Sequence, residues 1–474
     1  MTTNNLNFLE ELLRQSEGNS HYTELRLQKT RAQFLNLING DLTSNQESES
    51  SGLSARSFIN GGWGYSSSSL IHNLNSSEQR EMANQLLERA SNHGHFMSKA
   101  MQNPMDVKLP DSSFQFIQKE GLYKGYASTK DQIDFLKSLH SFIKEKYSDL
   151  KSIQLILSFN ELEKSLVNTM GSQAFHLLPR TALYLKFSME KEGEVVSLLE
   201  PLSGNGRAQI FIKDPKEYEE TIDTLYKRVK DKSEGIHATA GVKDLILAPA
   251  VTGILAHEAI GHPAEADLVK AGSVASQFLN KKVGSELVTM VDLAHTYNGE
   301  ELPVPVYIDD EGVEGKDVTL IDKGVFKGYM NNRELASFYS HDPSGSARAY
   351  DYNDEPLIRM RNTMILPGES KLEEMISSIE DGYYFLQSSN GQADLTSEFM
   401  FGVTMGYEIK NGKLGRAIKD TTISGVAFDM LDTVDMVSDE MHISCSGFCG
   451  KKQRMIVSHG GPSLKCRLHV GGRS

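Results

Sequence analysis

Cysteine is scarce in this chain. Only Cys445, Cys449 and Cys466 occur in 474 residues, all near the C-terminal end. A secreted disulfide scaffold would carry more, spread along the sequence, so a reducing cytoplasm is the expected compartment. An excess of basic charge is missing too. Lys and Arg number 49 against 63 Asp and Glu, a formal net charge of -14, with a pI near 5.5. General binders of nucleic acid or anionic membrane need a basic surface, so neither partner is expected. No apolar run approaches the roughly 20 residues that span a bilayer. The start, Met1-Thr2-Thr3-Asn4-Asn5-Leu6, has neither the basic region nor the apolar region of a secretion signal.

What is present describes an ordinary globular protein: 39% hydrophobic and 24% charged residues, with a mean hydropathy of -0.37. The length suits two or three domains. Residues 6–16 have the spacing of a short amphipathic helix, and Tyr22 to Lys29 alternates like a half-buried strand. Asn39-Gly40 predicts a hairpin turn, and Asn60-Gly61-Gly62-Trp63-Gly64 a second turn. The polar stretch Ser44 to Ser51 reads as mobile and the serine run Ser66 to Ser69 as loop. Ser76-Ser77-Glu78-Gln79 has capping-box chemistry ahead of a helical stripe, and a second helix is predicted over about residues 130–147. Strands follow around Ile153 to Phe159 and Leu183 to Met189. Asp214-Pro215 opens a further helix, with Asp as N-cap and Pro at the first position.

Residues 233–241 read as a linker, after which short β-branched segments dominate. Glu286 to Val291, Val304 to Ile308 and Val318 to Ile321 are expected strands. Asp322-Lys323-Gly324 and Lys410-Asn411-Gly412-Lys413 are expected turns, with helices near 332–339, 370–380 and 427–435. The expected architecture is α+β. An N-terminal mixed α/β domain over 1–232, divisible near residue 110, precedes a β-rich, barrel-like C-terminal domain over 233–474. The first half offers no catalytic constellation and reads as a scaffold or substrate-gating domain.

The chemistry concentrates in His257-Glu258-Ala259-Ile260-Gly261-His262. Two neutral imidazoles are good Zn²⁺ ligands, and a carboxylate beside them can accept a proton from a zinc-activated water. The familiar HExxH pattern sets its histidines four apart on one helix face. Here they are five apart, which on an ideal helix separates them by about 140°. Gly261 loosens the backbone, and Pro263 removes a donor and biases His262 away from helical geometry. These residues predict a broken or π-type helix end at 260–263 that brings both rings together. A catalytic zinc usually has three protein ligands and one open position. Candidates for the third are Glu265, Asp267 or a thiolate of the late cysteines. Arg348 is a candidate substrate contact; His295, His341, His459 and His469 read as structural.

The stretch Ala256 to His262, with Glu265-Ala266-Asp267 behind it, resembles the TldD/PmbA (TldD/TldE) family of bacterial and archaeal zinc metalloproteases. The likeness continues at Ile308-Asp309-Asp310-Glu311-Gly312 and Gly324-Val325-Phe326-Lys327-Gly328-Tyr329-Met330. It recurs at Arg359-Met360-Arg361-Asn362-Thr363, Leu366-Pro367-Gly368, Cys449-Gly450-Lys451, Gly461-Pro462-Ser463-Leu464 and Val470-Gly471-Gly472. These blocks run in order across about residues 240–474. The first half resembles the family more loosely, through Tyr22–Lys29 and Gly61-Gly62-Trp63-Gly64.

Because the HExxxH motif is intact, the resemblance implies the TldD-type catalytic subunit rather than its sister. By resemblance His257, His262 and Cys449 are the Zn²⁺ ligands and Glu258 is the general base. Cys445 is the rival thiol, and Cys466 is expected to be inert. The residues after Cys449-Gly450-Lys451, Lys452-Gln453-Arg454-Met455, are bulkier and more basic than the family pattern. The implied activity is hydrolysis of unfolded or extended peptides, with a sister subunit or a second copy of the chain enclosing the site. Alternatives are a non-catalytic zinc-binding assembly subunit and an amidase using the same ligands.

Overall fold

The computed structural model describes residues 2–15, 22–70, 76–101, 108–118, 123, 125–445 and 447–472. Its N-terminal part is a long, twisted sheet. β1 (Tyr22–Ile38), β2 (Asp41–Ile59), β3 (Gly62–Ser69), β4 (Gln115–Ile117), β5 (Ser152–Asn168), β6 (Gln173–Lys191) and β7 (Glu194–Asn205) assemble in the order β3-β2-β1-β5-β6-β4, with β7 also on β6. All pairs are antiparallel except β4 with β6. Asn39 (φ 50°) and Gly40 (φ 92°) occupy the left-handed region that joins β1 to β2, the tight hairpin that Asn-Gly favours.

Among the described residues, four helices support this sheet. α1 (Thr2–Gln15) and α2 (Ser76–Ala100) bury Leu9, Leu12, Leu86 and Ala90 against Leu25, Leu53 and Ala55. α3 (Thr129–Lys146) starts at Ser128, whose hydroxyl accepts from Asp131 N while the Asp131 carboxylate reaches back to Ser128 N. This reciprocal cap fixes where that helix begins. α4 (Glu219–Ser233) follows a single 3-10 turn opened by Asp214-Pro215. Residues 71–75 lie outside the described residues, and Ser76-Ser77-Glu78-Gln79, the expected cap, fall within the first turn of α2 itself.

Two serine-rich stretches differ from expectation. Ser44 to Ser51 belongs to β2 and pairs with β1 out to Asn36. Ser66 to Ser69 belongs to β3 and pairs with Ala55 to Gly52. Much of the outer part of β2 is exposed, so no apolar alternation marks it. Its order comes from the backbone ladder rather than from burial.

The C-terminal part contains a closed five-stranded barrel. β8 (Gly241–Leu247) lies between Asp381–Ala393, parallel to it, and Leu464–Val470, antiparallel. Thr421–Val426 and Glu398–Lys410 complete the ring, the latter pairing back onto Asp381–Ala393. Beside the barrel, a second sheet includes Val318–Asp322, Met290–Leu293, Asn362–Ile365 and Ser458–Gly461. Val304 to Ile308 was an expected strand, but forms only an isolated bridge, Ile308 with Glu314. Pro303 and Pro305 explain this, since neither can donate to a ladder. Within Glu286 to Val291, only Met290 and Val291 join a strand.

The presumed linker is pinned in place. Ile236 N donates to Ala417 O at 2.9 Å, Lys419 N donates to Ile236 O at 2.8 Å, and Ala238 is buried in the C-terminal core. Met405 and Ala417 in turn join the core under α3 and α4. Buried ion pairs also cross between the parts: Lys164 with Asp310 at 2.6 Å and Arg56 with Glu311 at 2.5 Å. These contacts hold the long sheet against the C-terminal part.

Candidate metal centre

The motif grows directly out of the barrel. β8 ends at Leu247, and α5 (Pro249–Leu255) begins with Pro249, where a missing N–H costs nothing. Thr252 Oγ1 donates to Leu247 O at 3.1 Å, while Val251 and Leu255 are fully buried. Beyond Leu255 the backbone widens into a π-helix over Ala256–Gly261, then tightens into a 3-10 turn over His262–Ala264. His262 N donates to His257 O, the five-residue closure that defines the wider turn. The imidazole centroids consequently stand 5.1 Å apart.

The distortion begins earlier than expected, at Ala256 rather than Ile260. His262 keeps right-handed helical angles (φ -59°, ψ -51°) despite Pro263, and Gly261 does the same (φ -61°, ψ -49°). Neither residue breaks the helix by leaving helical geometry. Gly261 serves instead by having no side chain: a Cβ there would stand 2.2 Å from Met360 Sδ.

Cys449 arrives from the far end of the chain on the short strand Phe448–Cys449, paired with Met455–Ile456. Its Sγ lies 3.2 Å from His262 Nε2. One ligand atom each from His257, His262 and Cys449 fall within 4.8 Å of one another. Two nitrogens and a sulfur are a zinc-type donor set. Both ring nitrogens of His257 are buried with no hydrogen-bond partner among the described residues. An unsatisfied buried polar group costs about 1–3 kcal/mol, so a cation here would relieve a real deficit. Burial pushes the Cys449 thiol up, but the neighbouring His257 and His262 outweigh it and bring it down to about 4. The thiolate is the form that ligates metal. The donors present therefore fit Zn²⁺.

Glu258 stands beside this cluster. Its side chain is 28% exposed, and its Oε2 lies 3.7 Å from His262 Nε2. Glu265 and Asp267, the other candidate ligands, are engaged elsewhere. The Glu265 carboxylate accepts from His262 Nδ1 at 2.9 Å and pairs with Lys451 at 3.1 Å. Asp267 binds Lys451 at 2.9 and 3.0 Å. Burial pushes Glu265 up, but Lys451, His262 and Arg359 overcome it and hold the carboxyl at about 2. Burial likewise works against a proton on His262, yet Glu265 and Cys449 raise that imidazole to about 10.

The remaining candidates separate cleanly. Cys445 is buried, its Sγ donates to Val457 O at 3.2 Å, and burial pushes its thiol up to about 11. Cys466 is buried in the barrel core, where burial raises its thiol further. Arg348, the candidate substrate contact, does not line the cleft beside the motif. Its guanidinium donates to Met360 O at 2.7 Å and Ile456 O at 2.8 Å, and it lines a separate small cavity. His295 stacks on Tyr307 at 4.5 Å.

A cleft of about 1180 Å³ opens over the cluster. Its walls include His257, Glu258 and His262, residues 197–201 of β7, and residues 387–389 and 391–393 of a barrel strand. His442 and His459 also face it. The His459 ring lies 6.4 Å from that of His257, and burial, with His257 and His442 nearby, drops its pKa to about 3. The imidazole there is neutral.

Comparison with known proteins is decisive for the family. The PmbA/TldA metallopeptidase C-terminal domain matches residues 240–472, and the PmbA/TldA metallopeptidase domain 1 matches residues 23–90. The chain belongs to the PmbA/TldD metallopeptidase family. A zinc metalloprotease TldD homolog of Saccharolobus solfataricus is 36% identical over 285 residues, 60% of this chain and 63% of that protein. A metalloprotease TldD homolog of Buchnera aphidicola is also 36% identical, over 50% of this chain and 49% of its own length. The matched stretch thus spans between about half and just under two-thirds of these two relatives. A metalloprotease of Methanocaldococcus jannaschii is 28% identical over 97% of this chain and 98% of its own length.

Among solved structures, TldE from Thermococcus kodakarensis superposes with a TM-score of 0.75 at 18% identity, covering 98% of this chain and 100% of that one. A putative modulator of a DNA gyrase from Thermotoga maritima gives 0.74 at 19% identity, over 98% and 99%. These two share the PmbA/TldD fold.

Sequence reasoning missed the roles of Glu265 and Lys451 as partners around the cluster. The i,i+3 spacing of His262 and Glu265 on one helical turn was the available signal. The pairing of Lys451 with Glu265 had none, because it spans most of the C-terminal part.

Proposed function

We propose that this chain is a TldD-type zinc peptidase that hydrolyses unfolded or extended peptides. The observation that carries the proposal is the convergence of His257, His262 and Cys449, with Glu258 beside them, under one large cleft. Zn²⁺ held by the three side chains would polarise a scissile carbonyl and make water acidic enough to ionise near neutrality. The chain's own residues supply the rest. Glu258 is the half-exposed carboxylate that accepts a proton from the attacking water and passes it to the leaving amine. Glu265 holds His262 by its Nδ1, so that Nε2 faces the cluster. The cleft is far larger than one side chain needs, and β7 contributes a sheet edge to its wall. That favours a substrate bound in extended form, by main-chain pairing, over a compact small molecule.

No described helix is long and apolar enough to cross a membrane, and all three cysteines are free. Both fit a cytoplasmic peptidase. A sister subunit of the TldE kind, or a second copy of this chain, would close the cleft. Cleavage of an unstructured peptide by the zinc-loaded protein, alone and with such a subunit, tests the proposal. A protein that binds zinc and never cleaves in either setting would instead be an assembly subunit.

A further inference from the structure

Lys451 sits two residues past Cys449, yet its ammonium does not face open solvent. Its side chain is only 11% exposed and lies 3.1 Å from Glu265 Oε2 and 2.9 Å from Asp267 Oδ2. Glu265 is itself fully buried, and the oxygen that meets Lys451 is the one that meets His262 Nδ1. One carboxylate oxygen therefore receives both a metal-ligand candidate's ring and the ammonium from the loop that delivers another. The backbone of that loop is gripped as well. Arg359, fully buried, donates to Cys449 O at 3.0 Å, Lys451 O at 3.1 Å and Gln453 O at 2.8 Å.

We propose that Lys451 is a positioning residue: through Glu265 it locks the loop that carries Cys449 to the helix end that carries His262, so that the two segments set their ligands together. The proposal rests on the zinc reading above and extends it. His262 and Cys449 are separated by 187 positions, and neither segment alone dictates where the other's ligand stands. A carboxylate bonded to a ligand histidine fixes its ring and raises its basicity. Here that carboxylate is buried, and a buried charge is tolerated only when paired. Lys451 supplies the pairing charge from the other segment, and Asp267, 36% exposed, holds the ammonium from its outer side. Removing Lys451 leaves the Glu265 carboxylate with His262 as its one direct bond and Arg359 as a more distant positive charge, and frees the Cys449 loop from the helix end. Arg359 then holds the loop backbone but not its register against Glu265.

The test uses the full chain, stripped of metal and titrated with Zn²⁺ against a competing chelator. Lys451→Met is expected to weaken zinc binding about 10–100-fold, the range seen when a partner of a ligand is lost. Glu265→Gln should weaken it similarly, and the double variant should lose no more than the worse single, because the two act as one unit. Lys451→Arg keeps the charge and should bind closer to wild type than Lys451→Met. Asp267→Asn, at a half-exposed position, should give a smaller loss and guards against a variant that merely misfolds. With Co²⁺ as probe, Lys451→Met should weaken the sulfur-to-metal charge-transfer band, since the thiolate is no longer held in place. A purely structural role for Lys451 would lower thermal stability and leave that band unchanged. Wild-type zinc affinity in Lys451→Met, or fully additive losses in the double variant, overturns this proposal alone. A wild-type chain that takes up no Zn²⁺ overturns the zinc reading and this proposal with it.

Discussion

Cys449 Sγ lies 3.2 Å from His262 Nε2, although 187 residues separate the two in the chain. The relationship discriminates between the late cysteines, because Cys445 points to Val457 O and Cys466 lies in the barrel core. Cys449→Ser should therefore abolish tight zinc binding, while Cys445→Ser and Cys466→Ser retain it. Metal content after dialysis, measured for the three variants side by side, checks this. Loss of zinc in Cys445→Ser with full occupancy in Cys449→Ser would reverse the ligand assignment.

The same geometry makes a prediction about reactivity. Thiolates, not thiols, react with alkylating agents. All three cysteines are buried, but only Cys449 is brought down by neighbouring imidazoles, while burial pushes Cys445 and Cys466 up. In the metal-free protein Cys449 should therefore be alkylated by iodoacetamide well before the other two. Zn²⁺ should protect Cys449. Peptide mapping by mass spectrometry, with and without metal, reads the site directly.

Much of this was legible in the sequence, and the failures have physical causes. Asn39-Gly40 and Asn411-Gly412 announce their turns because few residues adopt positive φ at low cost. The five-residue histidine spacing announced a widened helix, because no regular α-helix brings His257 and His262 to one point. The packing requirement at Gly261 was not legible. The Met360 side chain is packed over it, a contact between segments far apart in the chain. Ser44 to Ser51 failed for a related reason, since only the strand beside it in space specifies its order.

Gly261→Ala tests that packing. A methyl group there would meet Met360 Sδ within a fully buried layer, and overpacking of this kind costs about 1–3 kcal/mol. Urea unfolding should show the loss. Met360→Ala combined with Gly261→Ala should cost less than the sum of the two single variants, because the methyl group occupies part of the space that Met360 leaves. If the single variant is as stable as wild type, the close packing at this helix end is looser than the structure indicates.

Stability in acid should depend on Asp310. Burial pushes its carboxyl up, but the Lys164 ammonium, Arg26 and the Ala349 N–H outweigh burial and hold it at about 2. Burial brings Lys164 down to about 8, so the pair remains ionised at neutral pH. The folded-state carboxyl is depressed below its unfolded value near 3.9. Its contribution is therefore complete above that value and is lost as pH falls toward about 2. Asp310→Asn should lower stability near neutrality by about 3–5 kcal/mol, because it strands the buried ammonium. It should also flatten the dependence of stability on pH between about 4 and 2. Thermal unfolding of both proteins across that window checks the sign.

Glu258 carries the central claim, and cleavage of an unstructured peptide tests it most directly. Wild type and Glu258→Ala should hold equal zinc, since Glu258 stands beside the ligand cluster rather than within it. Wild type, with a sister subunit where one is required, should cleave the peptide. Glu258→Ala should be slower by at least about 100-fold, the lower end for loss of a general base. Equal rates in the two proteins, at equal zinc content, would contradict the role assigned to Glu258.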